Sequence, residues 1–228
     1  PYPVVLSVAV SLAVGLGIGL VNGLLVARGG VPAFIVTLGT QLAAAGAALL
    51  MRNGSPIPGL KDEYNVIGAG SLLGIPLPII IFFAITLIGG FILKRTRFGR
   101  HIYAVGGNPL AARACGIKDR ANVIWVYVIS GLCAAIAGVV ISARVRTATP
   151  LAGEGCELDA IAAAVLGGTS LTGGIGNIWG TLAGVLIIGL LNNGMDLLNI
   201  QSYIQDIIQG LIIVAAVYID VNTNKAKK

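Results

Sequence analysis

Apolar residues in this chain fall into long unbroken runs, not the alternation of a half-buried strand or the narrow stripe of a surface helix. Six runs stand out: Val4–Ala27, Pro32–Met51, Pro76–Leu93, Val123–Ala143, Ile178–Asn193 and Tyr203–Ile219. They approach or reach the roughly 20 residues a helix needs to cross about 30 Å of hydrocarbon. The short alternating segments of about ten residues that mark a membrane β-barrel are not visible. The pattern therefore predicts an all-α, polytopic transmembrane helix bundle with about six full spans, forming one domain over residues 1–228. The runs are read as free of ionisable side chains, the groups that proton-coupled carriers and voltage sensors place at membrane depth. Energy for any transport is expected to come from elsewhere.

Charge orients the runs. The stretch Lys94–Asn122 holds Lys94, Arg95, Arg97, Arg100, Arg113, Lys118 and Arg120 against Asp119 alone, a net +6 that equals the net charge of the whole chain. By the positive-inside rule this loop faces the cytoplasm; a nucleic-acid patch is the weaker reading of a basic stretch lying between two spans. Parity then puts Arg28 and the tail Lys225, Lys227 and Lys228 inside, and Arg52–Ile75 and Arg144–Glu157 outside. The same parity demands one more crossing, and only Leu158–Ile175 is available for it. Its apolar part, Leu158–Leu166, would cover less than half the hydrocarbon core as helix at 1.5 Å per residue. The remainder is GGTSLTGGIG. A short helix followed by irregular backbone, crossing or re-entering the membrane with Asp159 near the outer mouth, is predicted. Irregular backbone survives at that depth only where it is buried in protein or lines a wet cavity, which points to a path for a polar solute.

Composition agrees with a membrane protein lacking a soluble domain: 56% of residues are hydrophobic and 11% charged, about half the charged share of a soluble domain, with a mean hydropathy of +0.92. The chain opens Pro-Tyr-Pro without Met or a basic leader and is expected to be the C-terminal part of a longer protein. Its three cysteines, Cys115, Cys133 and Cys156, are odd in number and form no Cys-x-x-Cys pair, so neither a disulfide frame nor a metal site is expected. His101, the only histidine, is read as structural, and Asn53-Gly54-Ser55 is too short a pattern to argue glycosylation. A phosphate loop needs Gly-x-x-x-x-Gly-Lys-Ser/Thr; Gly168–Gly173 continues with Gly174-Ile175 instead. No cofactor is therefore expected on this chain, and nucleotide chemistry, ATP with Mg, belongs in a partner. No catalytic residue is assigned. Glu157 and Asp159 could form an acid/base pair of an intramembrane hydrolase, but no nucleophile motif accompanies them.

Polar and small residues within the runs supply the candidate site. Gly15, Gly19 and Gly23 recur every four residues, a face on which helix backbones approach closely. Asn22 lies beside them. Thr37, Thr40 and Gln41 share one face of the second run. Asn22, Thr37, Gln41, Thr169, Ser170, Asn192 and Asn193 are the candidates for a translocation path, with hydrogen bonding between helices as the other reading of each. Arg144, Arg146, Glu154, Glu157 and Asp159 are expected at the outer mouth. Gly167, Gly168, Gly173 and Gly174 are expected to shape the backbone of the broken crossing. In the basic loop Gly106 and Gly107 are expected to break the chain, Asn108 to cap, Pro109 to take the first helical position and Leu110–Cys115 to form a short helix closed by Gly116. Such a helix flanked by cations reads as a docking surface for another protein.

Four stretches, VPAFIVTLGT (Val31–Thr40), FGRHIYAVGGNPLAAR (Phe98–Arg113), GCELDAIAAAVLGGTSLTGG (Gly155–Gly174) and LLNNGMDLL (Leu190–Leu198), closely resemble the permease subunits of bacterial ATP-binding-cassette monosaccharide importers, the ribose type most of all. The likeness covers essentially the whole chain; Cys115 and Cys156 stand where Ser and an aromatic residue are expected. The resemblance implies a homodimeric permease in the bacterial inner membrane, working with a cytoplasmic ATPase and an extracytoplasmic sugar-binding protein. It implies that Gly106, Gly107, Asn108, Pro109, Leu110, Ala111, Ala112, Arg113 and Gly116 lie in the segment that contacts the ATPase, and that Glu157–Gly174 shapes the pathway. An ATP-independent facilitator or channel is the alternative, as is the same importer architecture for another pentose or hexose, inositol or a branched-chain amino acid.

Overall fold

The computed structural model describes residues 3–225, and among them it is built of helices joined by short turns. In chain order these are α1 (Val4–Ala27), α2 (Ala33–Arg52), α3 (Asp62–Ala69), α4 (Leu77–Arg95), α5 (Arg97–Gly107), α6 (Pro109–Ala114), α7 (Asp119–Val145), α8 (Cys156–Leu166), α9 (Ile178–Leu197) and α10 (Ser202–Lys225). Four two-residue strands accompany them: β1 (Ile57–Pro58), β2 (Ser71–Leu72), β3 (Ile75–Pro76) and β4 (Thr147–Ala148). Among the described residues five helices, α1, α2, α4, α7 and α9, are long and apolar enough to span a bilayer, while the apolar stretch of α10, Ser202–Tyr218, is shorter. The molecule is an all-α, multi-pass membrane protein. Its helices turn large apolar side chains outward, Phe34 at 74% and Leu50 at 81% exposed among them. Lipid tails are as apolar as leucine, so such faces cost nothing in a bilayer, and helices associate through close packing of small residues instead. The buried positions follow that rule. Ala143, Ala162 and Ala163 are the most deeply buried apolar residues, and no large side chain is fully enclosed among the described residues.

Two expectations are corrected here. The last run is not free of ionisable groups: Asp206 lies within it, exposed on α10, and Asp220 follows one residue beyond it on the same helix. Gly106 and Gly107 do not break the chain. They are the last two residues of α5, an amphipathic helix whose start Thr96 caps by accepting from Gly99 N at 3.1 Å. Lys225 ends α10, whereas Lys227 and Lys228 of the tail lie outside the described residues.

The chain forms two compact units and passes between them within α4. The first holds residues up to Ile85 together with Lys118–Gly153. Its centre is the packing of α1 on α7. A methyl group on Gly15 would stand 2.5 Å from the carbonyl oxygen of Gly131, and one on Gly23 would stand 2.9 Å from Ile124 Cα. Gly19 is pressed as closely on the Tyr127 carbonyl. The four-residue glycine spacing thus serves the helix contact it predicts. Asn22 shares this region, buried, with its Oδ1 lacking a hydrogen-bond partner.

The helix α3 was not legible as such, because DEYNVIGA is short and sits among turn residues. It docks on the C-terminal turns of α7. The Tyr64 hydroxyl lies 2.8 Å from Ser142 Oγ, and a methyl on Gly68 would meet Arg144 Cα at 2.6 Å. Just beyond α7, β4 pairs antiparallel with β1, Ile57 opposite Ala148. The hairpin β2–β3 turns through Leu73 and Gly74, both at positive φ (55° and 83°).

The second unit holds Thr86–Ile117 and the chain from Glu154 onward. Its core is α8 against α9, with Ile212 and Ile213 of α10 covering Ala162, Ala163 and Ile188. The α8–α9 contact is backbone on backbone. A methyl on Gly167 would come within 2.5 Å of Gly180 C, and one on Gly184 within 2.9 Å of Ala163 C. Gln205 Nε2 closes the α9–α10 turn by donating to Asp196 Oδ1 (3.0 Å) and to the Ile200 carbonyl (2.9 Å).

A glycine loop joined to a capped basic helix

The predicted short helix is α8, which starts after Gly155 (φ 87°) and ends at Leu166, just before Gly167. The irregular backbone that follows, residues 167–177, is a self-contained turn. Ser170 N donates to the Ile175 carbonyl at 3.0 Å and Gly173 N to the Ser170 carbonyl at 3.2 Å. Thr169 N is taken by the Ala164 carbonyl (3.0 Å), extending the end of α8. The Ser170 and Thr172 hydroxyls lie 2.9 Å apart, and Thr169 Oγ1 lies 3.3 Å from Thr181 Oγ1 of α9. Asn177 then caps α9, its Oδ1 accepting from Trp179 N at 3.2 Å. Backbone outside a helix is costly in hydrocarbon unless its polar groups find partners, and this turn supplies many from within itself. Gly168, Gly173 and Gly174 hold φ of 83°, 88° and 76°, left-handed values that side-chain-bearing residues rarely adopt.

The capped helix of the basic loop is α6. Asn108 Oδ1 accepts from Ala111 N at 3.0 Å with Pro109 at the first helical position, and Gly116 at φ 79° closes the other end. Leu110 is 75% exposed on it, and Arg113 is exposed too, while Ala112 is buried. An apolar side chain, Leu110, and a cation, Arg113, thus stand exposed on one short capped helix.

The structure sets the turn against the end of α5, the helix that leads through Asn108 into α6. The end of α5, Gly106–Gly107, lies directly on Gly173–Gly174. A methyl on Gly106 would stand 2.6 Å from Gly174 N, and one on Gly174 would stand 2.7 Å from Gly107 Cα. The Tyr103 hydroxyl, one turn earlier on α5, donates to the Gly176 carbonyl at 2.9 Å. On another side Asp220 of α10 accepts at one oxygen, Oδ2, from Ser170 Oγ and from Leu171 N, both at 3.2 Å. A cavity of about 270 Å³ opens between α5 and the turn, lined by Tyr103, Gly106, Thr169, Ser170 and Thr181 among others.

The other sequence candidates are spread through the two units. In the first unit, Thr37 Oγ1 donates back to the carbonyls of Ala33 (3.0 Å) and Phe34 (3.2 Å), and Gln41 is exposed on α2. Arg144 and Arg146 are exposed at the end of α7, Arg146 at φ 57°. In the second unit, Asn192 is half-buried and Asn193 exposed on α9; Glu154 and Glu157 are exposed; and Asp159 accepts a hydrogen bond from Gln209 Nε2. Of the path candidates, Thr169 and Ser170 are the pair that lines one cavity with Gly106. Tyr103, Thr181, Gln209 and Asp220 escaped the sequence reading. A single tyrosine in a basic loop, or an aspartate just past the end of an apolar run, carries no local signal of the partner it will meet.

The family model described as the permease component of branched-chain amino acid transport systems matches residues 2–217. The chain is 47% identical over 201 residues to the ribose import permease protein RbsC of Bacillus subtilis (strain 168), a match covering 87% of this chain and 62% of that protein. It is 44% identical over 222 residues to the ribose import permease protein RbsC of Haemophilus influenzae, covering 96% and 69%. With the D-allose transport system permease protein AlsC of Escherichia coli (strain K12) it shares 43% identity over 200 residues, 88% of this chain and 61% of that one. The chain thus spans less than two thirds of the length of the Bacillus ribose and Escherichia allose permeases. No solved structure matches it.

Proposed function

Since this chain belongs to the family of branched-chain amino acid transport system permease components, we propose that it is the membrane-spanning subunit of an ATP-driven importer that moves a monosaccharide, ribose first, by alternating access. In this reading residues 1–228 form one permease domain, Lys94–Asn122 and the C-terminus face the cytoplasm, and α6 docks on an ATPase that holds ATP and Mg. A binding protein delivers sugar on the opposite side, near Arg144–Asp159, and two copies of the permease line the route.

The observation that carries the reading is the contact of Gly106–Gly107, which lead into α6, with Gly173–Gly174 of the hydroxyl-bearing turn. A docking helix whose leading helix, α5, makes a backbone contact with a solute-facing turn gives ATP-driven motion a route to the pathway. The chemistry favours an uncharged, hydroxyl-rich cargo. Thr169, Ser170, Thr172 and Thr181 cluster at the turn, and hydroxyls can both donate to and accept from a sugar. The names of the relatives, a ribose import permease and a D-allose transport permease, point the same way.

Ribose uptake into proteoliposomes tests the proposal, using the permease at its full natural length with its neighbouring ATPase and binding protein. Uptake should require ATP and be competed by ribose before xylose, galactose, inositol or leucine. Uptake that persists without the ATPase would replace the importer with a facilitator; competition by leucine alone would move the cargo to the amino acids that the family description names.

A further inference from the structure

We propose that the Tyr103 hydroxyl and the Asp220 carboxylate are positioning groups that make the 170–176 turn follow the docking helix in both directions of the transport cycle; this rests on the importer reading above. The glycine contact between α5 and the turn is steric, and no backbone hydrogen bond crosses it among the described residues. A contact of that kind transmits a push but not a pull. When α6 is driven toward the turn, Gly106 presses on Gly174; when α6 withdraws, nothing in the contact draws the turn back. The Tyr103 hydrogen bond to the Gly176 carbonyl supplies that return linkage, since it runs from α5 itself to the far end of the turn at 2.9 Å. Because α5 leads through Asn108 straight into the six-residue α6, Tyr103 travels with the docking helix.

Asp220 holds the other end. Its Oδ2 gathers the Ser170 hydroxyl and the Leu171 amide, and Ser170 N is in turn bonded to the Ile175 carbonyl. The turn is therefore a small hydrogen-bonded body slung between α5 and α10. Two of its glycines, Gly173 and Gly174, hold positive φ and bring no side chain to wedge it in place. With both attachments the turn has one position for each position of α5. Without the Tyr103 bond α6 can withdraw while the turn stays behind; without the Asp220 bonds the turn is no longer held against α10, and a stroke of α5 carries it without moving it to one defined position.

The test measures ribose imported per ATP hydrolysed in proteoliposomes of the full-length permease, ATPase and binding protein. Tyr103→Phe keeps the ring and removes the hydroxyl alone. The ratio should fall about fivefold, the factor equivalent to one net hydrogen bond of about 1 kcal/mol, while assembly with the ATPase and ATP hydrolysis persist. Asp220→Leu should lower the ratio similarly, and Asp220→Asn, which keeps an acceptor oxygen, should restore most of it. Uptake and hydrolysis falling together at a constant ratio would overturn the proposal and leave both residues as fold supports, as would Tyr103→Phe at the wild-type ratio. Failure of the importer reading itself reads out differently, as wild-type uptake that needs no ATP.

Discussion

Gly184→Ala should destabilise the protein while Gly189→Ala, five residues along the same helix, stabilises it. Both substitutions replace glycine by alanine within α9 and gain the same intrinsic helix preference, about 0.8–1 kcal/mol. Their surroundings differ. At Gly189 an added methyl meets nothing within 4 Å. At Gly184 it meets Ala163 C at 2.9 Å and Gly167 N at 3.1 Å, with the Ala163 carbonyl oxygen closer still. Those atoms are backbone, so no side-chain rotation relieves the clash, and α8 has to move away from α9. That separation opens the small cluster of Ala162, Ala163 and Ile188. Overpacking of this kind costs about 1–3 kcal/mol; set against the propensity gain, Gly184→Ala should lose up to about 2 kcal/mol and the two variants should differ by about 1–3 kcal/mol. At about 2–4 °C per kcal/mol for a domain of this size, their melting midpoints in detergent should differ by about 2–12 °C. Intrinsic fluorescence can follow the transition, because one of the two tryptophans, Trp179, lies in the first turn of α9. Equal midpoints, or a Gly184→Ala variant more stable than Gly189→Ala, would refute close backbone packing as the reason for glycine at 184.

Further outcomes follow from the same geometry. In α1, Gly19→Ala should weaken the packing on α7 by about 1–3 kcal/mol whereas Gly17→Ala, with open space around it, should not; urea or SDS titration of the pair separates them. Tyr64→Phe removes the hydroxyl that meets Ser142, and hydrogen exchange of the α3 amides should rise about fivefold, as for a lost bond of about 1 kcal/mol; unchanged exchange would mean that packing alone docks α3. Asn108→Ala deletes the cap of α6 at a cost of about 1 kcal/mol; under the proposed importer reading, affinity for the partner ATPase should fall about fivefold with the melting of the bundle unchanged, and Asn108→Asp should restore it.

Local chemistry made several features readable in the chain. Long apolar runs can be satisfied only as spans, since a helix alone completes its own backbone hydrogen bonds in lipid; α1, α2, α4, α7 and α9 lie where the runs lie, within a residue or two at most boundaries. The α6 cap was readable because Asn, Pro and Gly act on their immediate neighbours. The shortness of the apolar segment before GGTSLTGGIG likewise required a helix that stops early, and α8 ends at Leu166. Other elements were hidden for equally physical reasons. In α5, the pair Gly106-Gly107 has the composition of a break, yet it stays helical because the bare backbone it offers is where Gly173–Gly174 packs. In α3, eight residues carry too few periods for a pattern; what fixes the helix is its seat on α7 through Tyr64 and Gly68.

The sequence by itself thus determined the solvent the protein lives in, the approximate spans, the capped basic helix and the need for a broken element, because each depends on hydrophobicity and on contacts within a few residues. Only the tertiary structure decided that the broken element touches the end of α5, where the chain leads into α6. Gly106 and Gly174 are separated by a full span and more of chain; Tyr103 and Gly176, and Ser170 and Asp220, are as remote. A glycine or a lone polar residue presents the same local signal whatever it will meet. Its partner is chosen by the packing of whole helices, which no stretch of the chain contains on its own.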